Sequence, residues 1–133
     1  MSELPSVRGQ ILRSESLAPF SWFRVGGPAV ALYLPADRDD LMEFLRRAPA
    51  ELPVTLLGVG SNVIVRDGGV SGIVIRLAGR AFAAIEPLEQ ARIRVGAGAL
   101  DAMVAKGAAK AGIAGLEFYV GVPGTIGGAL AMN

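Results

Sequence analysis

The stretch Ala29–Asn62, AVALYLPADRDDLMEFLRRAPAELPVTLLGVGSN, decides the fold. Ala29 to Leu34 is a nearly continuous apolar run, the pattern of a buried strand. Asp37 to Arg47 reads as a helix. Asp37 can cap it, Asp39 and Asp40 occupy its first turn, and Arg46 and Arg47 its last, as the helix dipole favours. Leu41, Phe44 and Leu45 make an apolar stripe at i, i+3 and i+4, and Pro49 prevents continuation. Val54 to Leu57 reads as a second buried strand, which completes a β-α-β unit with the helix as crossover. That strand runs straight into Gly58-Val59-Gly60-Ser61-Asn62. Open α/β units gather ligands at the carboxyl ends of their strands, so this loop is a candidate site.

Downstream the pattern becomes strand-rich. Val63–Val65 reads as a strand ended by the turn Asp67-Gly68-Gly69, and Gly72–Leu77 as another, with Ile73, Ile75 and Leu77 on one face. Ala81–Ile85 is a further strand candidate. Ala91–Val95 alternates, Arg92 and Arg94 outward, Ile93 and Val95 inward. Leu100–Ala111 reads as a helix with Leu100, Met103, Val104 and Ala108 along one face; Gly107 weakens it and Gly112 ends it. Residues 1–21 carry little pattern, and Trp22 and Phe23 read as core anchors. A composition shift near Asp67–Gly72 divides the chain into a β-α-β lobe to about residue 70 and a strand-rich lobe from about 71.

The 133 residues fit one ordinary domain, and 52% apolar against 19% charged residues allows a buried core. A net charge of +1, from 13 basic and 12 acidic residues, gives no electrostatic footprint for nucleic acid or an anionic membrane. Without Cys or His, disulfides, zinc sites, Cys nucleophiles and His bases are excluded within this segment. The first ten residues lack a signal peptide's apolar core, and no run is long enough to cross a membrane, so a cytoplasmic setting is expected.

The 18 glycines cluster around tight turns. Gly58–Asn62 could cradle a pyrophosphate on its amides, with Ser61 and Asn62 adding side-chain donors. It is neither a Walker A loop nor a dinucleotide G-x-G-x-x-G, and a tight strand-to-strand turn explains it equally well. Val95-Gly96-Ala97-Gly98-Ala99 lies between a strand and a helix, either for close packing or to line a ligand with amides. Arg24, before Gly26-Gly27-Pro28, reads as a surface residue of a turn. No pair of acids has a spacing that argues for general acid–base chemistry.

The closing stretch, GLEFYVGVPGTIGGALAMN (Gly115–Asn133), reads as a loop turning into a helix. Pro123 suits the helix's first turn, and exposed amides there attract electron-rich ligand atoms. The chain stops about three turns into that helix without a stop signal, as a piece of something longer would.

Four stretches in order resemble the UDP-N-acetylenolpyruvoylglucosamine reductases, flavoenzymes of bacterial peptidoglycan synthesis. They are Leu17–Ala29 (LAPFSWFRVGGPA), Leu57–Asn62 with Val65–Gly69, Val95–Ala99, and Gly115–Asn133. The resemblance implies an α+β, two-lobed FAD-binding fold of the vanillyl-alcohol oxidase and p-cresol methylhydroxylase type, truncated at its C-terminus and lacking the substrate-binding domain. FAD would lie between the lobes. Gly58, Val59, Gly60, Ser61 and Asn62 would hold its pyrophosphate, while Ala97, Gly98, Gly121, Val122, Pro123, Gly124, Thr125, Gly127 and Gly128 would approach the flavin. The implied reaction passes a hydride from NADPH through FAD to the enolpyruvyl group of a UDP-sugar. The family's catalytic Ser, Arg and Glu would lie beyond Asn133, so the segment alone is expected to be inactive. An FAD-dependent hydroxy-acid or alcohol oxidase of the same fold, and a fragment without activity, are the alternatives. Val59 replaces a common Gly and is expected at φ < 0, because a β-branched residue resists positive φ. Ala131 stands where a basic residue is common.

Overall fold

The computed structural model describes residues 3–132, which divide into two compact units, one up to Leu77 and the other from Ala78. In the first unit, β1 (Gln10–Ser16), β2 (Pro28–Leu34), α1 (Arg38–Arg47), β3 (Val54–Leu57) and β4 (Val70–Arg76) follow one another. The sheet order is β1-β2-β4-β3. β4 lies parallel to both β2 and β3, and β1 closes one edge antiparallel to β2. The expected strand–helix–strand is therefore present, with β4 inserted between its two strands.

Both faces of this sheet are covered, which is why β2 and β4 read as unbroken apolar runs. Ala31, Tyr33, Ile73 and Ile75 pack with Phe44 of α1 on one face. On the other, Leu32, Val74 and Leu57 pack with Leu17, Ala29 and Val65. Ala29 shares a face with Leu32 rather than Ala31 because the β2–β4 register shifts between Ala29 and Ala31, and an irregularity there reverses the alternation.

Asp37 caps α1 as expected, its Oδ1 accepting from the Asp40 amide at 2.9 Å. Asp40 was expected only as a first-turn acid; it is buried. Its carboxylate accepts from the amides of Arg8 (2.8 Å), Gly9 (2.9 Å) and Ala36 (2.9 Å). Burial opposes its ionisation, but these backbone donors outweigh burial and hold its pKa at about 2. They also tie the chain's beginning to α1. Burial, together with nearby Asp40, pushes the Tyr33 phenol well above its usual range, although its hydroxyl makes no hydrogen bond of acceptable geometry.

Several expectations change. β3 is an edge strand, not a buried one: Leu57 is buried, while Val54 and Leu56 are exposed. Val63–Val65 forms no strand, and of the three only Val65 is buried. Trp22 and Phe23 are exposed rather than core anchors. β1 falls in the region read as patternless. β4 belongs to the first sheet, so the division falls after Leu77 instead of near residue 70.

The second unit is less strand-rich than expected. It contains the antiparallel hairpin β5 (Ile85–Leu88) and β6 (Arg92–Val95), α2 (Asp101–Lys110), and α3 (Ile126–Met132), with 3-10 turns at Arg80–Phe82 and Glu117–Gly121. The strand expected over Ala81–Ile85 is thus a turn followed by β5. α2 buries Asp101, Val104, Ala105 and Ala108, a stripe at i, i+3, i+4 and i+7 that starts one residue after Leu100; Leu100 and Met103 are exposed. Gly112, at φ 69°, ends α2 in a Schellman motif, with Ile113 N–H donating to Ala108 O at 2.9 Å. A Cβ at Gly107 would stand 2.9 Å from Ile85 Cγ2, so this glycine lets α2 approach β5 closely.

Candidate functional site

Within the first unit, Gly58–Asn62 leaves the carboxyl ends of β3 and β4, where Leu57 pairs with Arg76. The loop's path is fixed by the segment Leu17–Gly27. Gly60 adopts φ 72°, and a Cβ there would stand 2.0 Å from Phe20 O. Its own carbonyl accepts from Trp22 N–H at 3.0 Å. Buried Ser21 donates its Oγ–H to Val63 O at 3.0 Å and accepts from Phe23 N–H at 3.3 Å. A Cβ on Gly26 would crowd Val65 at 2.7 Å, and Gly27 N–H bonds Arg66 O at 2.9 Å. Two of the resembling stretches, far apart in sequence, are thereby one structure. Val59 has no positive φ; Gly60 carries the left-handed position.

The amides of Val59, Gly60 and Asn62 donate no hydrogen bond among the described residues. Unbonded amides beside a glycine turn are a donor set of the kind that suits an anion. An apolar hollow of about 270 Å³ lies toward the opposite end of β4, beside Gly72 and Pro53, and does not belong to this loop.

Within the second unit, the other predicted residues come together. Gly127 N–H donates to Ala97 O at 2.9 Å, Ile126 N–H to Ala99 O at 3.0 Å, and Asp101 N–H to Gly124 O at 3.0 Å. Leu100 and Thr125 form an antiparallel bridge. A Cβ on Gly127 would stand 3.0 Å from both the Cβ and O of Ala97, so the small residues serve close backbone approach. Gly98 N–H is taken by Phe82 O at 2.8 Å, whereas the amides of Ala97, Gly124 and Thr125 donate none among the described residues.

One expectation is corrected here. Pro123 is not in the first turn of α3: the helix begins at Ile126 and is capped by buried Thr125, whose Oγ1 is 3.4 Å from Gly128 N. Gly121 closes the preceding 3-10 turn, and Val122–Gly124 is a link between turn and helix.

Sequence reasoning passed over Ser21, Arg76 and Asp101. Asp101 is 1% exposed, and neither carboxylate oxygen has a hydrogen-bond partner among the described residues. Burial raises its pKa above the usual carboxyl range. Among the described residues no group of carboxylates could hold a metal ion, and no helix is long and apolar enough to cross a membrane.

Residues 29–133 match the FAD binding domain family. The chain belongs to that family. As an FAD-binding domain it is 68% identical over 130 residues to the UDP-N-acetylenolpyruvoylglucosamine reductase of Phenylobacterium zucineum, covering 98% of this chain and 43% of the relative. The reductase of Maricaulis maris is 64% identical, over 100% of this chain and 42% of its own length. Among solved structures, the crystal structure of UDP-N-acetylenolpyruvylglucosamine reductase from Thermus caldophilus matches at a TM-score of 0.68 and 38% identity, covering 94% of this chain and 42% of that one. The chain thus spans less than half the length of the relatives it matches. The resemblance carried by the four stretches holds over the length of the chain covered by these relatives, which are reductases rather than oxidases.

The donor set fits the family's cofactor. The unbonded amides of Val59, Gly60 and Asn62, on a glycine turn that would not tolerate a Cβ, have the chemistry that suits a pyrophosphate.

Proposed function

We propose that this chain is the FAD-binding part of a reductase that uses NADPH to convert UDP-N-acetylglucosamine enolpyruvate into UDP-N-acetylmuramate. The observation that carries the reading is the Gly60 turn, locked against Phe20 and Trp22, with the amides of Val59, Gly60 and Asn62 donating no hydrogen bond among the described residues. In this reading the backbone of Gly58, Val59, Gly60, Ser61 and Asn62 binds the pyrophosphate. Ala97, Gly98, Gly121, Val122, Pro123, Gly124, Thr125, Gly127 and Gly128 bind and orient the flavin. When bound, FAD supplies the hydride relay between NADPH and the enolpyruvyl double bond. In this reading the chain's own residues bind and orient the cofactor. NADPH and a UDP-sugar are substrates of the complete enzyme, and the reaction is cytoplasmic.

The reading is tested by thermal unfolding of the purified chain with and without FAD. At 100 times its dissociation constant, FAD adds about 2.7 kcal/mol of stability and raises Tm accordingly. A folded chain whose Tm is indifferent to saturating FAD would contradict it.

A further inference from the structure

Arg76 is the last residue of β4, on the same sheet face as Val74 but beyond the apolar core. It is the register partner of Leu57, so it stands beside the first residue of the Gly58–Asn62 loop. Its Nε donates to Gly58 O at 3.3 Å, and its guanidinium carbon lies 5.3 Å from the centre of the Phe20 ring. Phe20 is itself packed on the core. The cation is therefore held from two sides, by a carbonyl of the loop and by an aromatic face. No carboxylate pairs with it, and its two Nη groups form no hydrogen bond among the described residues. A half-buried guanidinium has a rigid fork of donors suited to two phosphate oxygens at once.

Resting on the FAD-binding reading above, we propose that Arg76 is an anion-contact residue of this loop, its Nη groups donating to a pyrophosphate held on the amides of Val59, Gly60 and Asn62. The Nε bond and the Phe20 ring fix the guanidinium before the anion arrives, so little side-chain freedom is lost on binding. A residue acting only as a strut for the loop would leave those donors idle.

The test compares wild type with R76Q and R76K, using FAD, riboflavin and inorganic pyrophosphate as probes. R76Q is expected to weaken FAD binding by about tenfold or more, because a charge-assisted contact is lost. Riboflavin, which has no phosphate, should bind R76Q and wild type alike. Pyrophosphate should raise the Tm of wild type and leave that of R76Q unmoved. R76K, which keeps the charge but loses the fork, should fall between them, and it carries the comparison if R76Q does not fold. Equal losses for FAD and riboflavin would reduce Arg76 to a strut and overturn the proposal. So would a wild-type chain with no response to pyrophosphate. A pyrophosphate response lost in R76Q, in a chain that does not bind FAD, would uphold the anion contact while defeating the FAD reading.

Discussion

Gly60 links the sequence to the site through one torsion angle. At φ 72°, with Phe20 O where a Cβ would stand, it admits no side chain. Replacing it with Ala combines left-handed strain of about 1–2 kcal/mol with a backbone clash, so G60A should cost about 2–4 kcal/mol in chemical denaturation. An unchanged denaturation midpoint would show that the turn is less constrained than its geometry implies. Asp101 makes a different kind of prediction. Its folded pKa is raised by burial, so the folded chain binds more protons than the unfolded one above the ordinary carboxyl range. Stability should therefore fall as pH rises from about 4 toward the folded pKa. D101N removes the charge that must be buried, so it should raise Tm at pH 7, change it little at pH 4, and flatten the pH profile. A lower Tm at pH 7 would indicate a partner for the carboxylate. The roles of these residues were unequally legible. The Asp37 cap is visible because its partner lies three residues along. The burial of Asp40 is not, because two of its donors come from Arg8 and Gly9, which no local pattern connects to α1.

Elements were read well where burial imposed a period, and poorly where it did not. β2 and α1 lie near their expected bounds because an apolar run and a capped stripe are local signals. β1 escaped because QILRSES mixes polar and apolar residues without clean alternation and places Ser14 at φ 52°. β5 was misplaced because Pro87 interrupts its pattern; in this two-stranded ladder, Pro can be accommodated at an edge. The stripe of α2 was displaced by one position because its first buried residue is an acid. The β5–β6 turn holds Gln90 at φ 60° and Ala91 at φ 54°, positions that favour Gly or Asn. A91G should relieve that strain and stabilise the hairpin by about 0.5–1 kcal/mol, read from the urea midpoint. A destabilised A91G would mean that the cost of glycine's unfolded-state freedom outweighs the relief.

At the scale of the whole molecule, the large buried clusters belong to the first unit, where two apolar layers enclose the parallel strands. The second unit buries mostly small side chains, such as Ala99, Ala105 and Ala108, and is organised by backbone contacts among Ala97–Asp101 and Gly124–Gly127. The sequence showed both glycine-rich regions. It did not show that Leu17–Gly27 shapes the Gly60 turn or that Ala97 meets Gly127, because both depend on approach between distant backbone segments. Hydrogen–deuterium exchange of the full chain, with and without saturating FAD, tests the central claim most directly. Bound FAD should slow exchange in peptides covering Gly58–Asn62 and Gly121–Gly128, because the amides of Val59, Gly60, Asn62, Gly124 and Thr125, which donate no hydrogen bond among the described residues, would then have partners. Unchanged exchange in both stretches, or protection confined to the apolar hollow beside Pro53, would contradict the account.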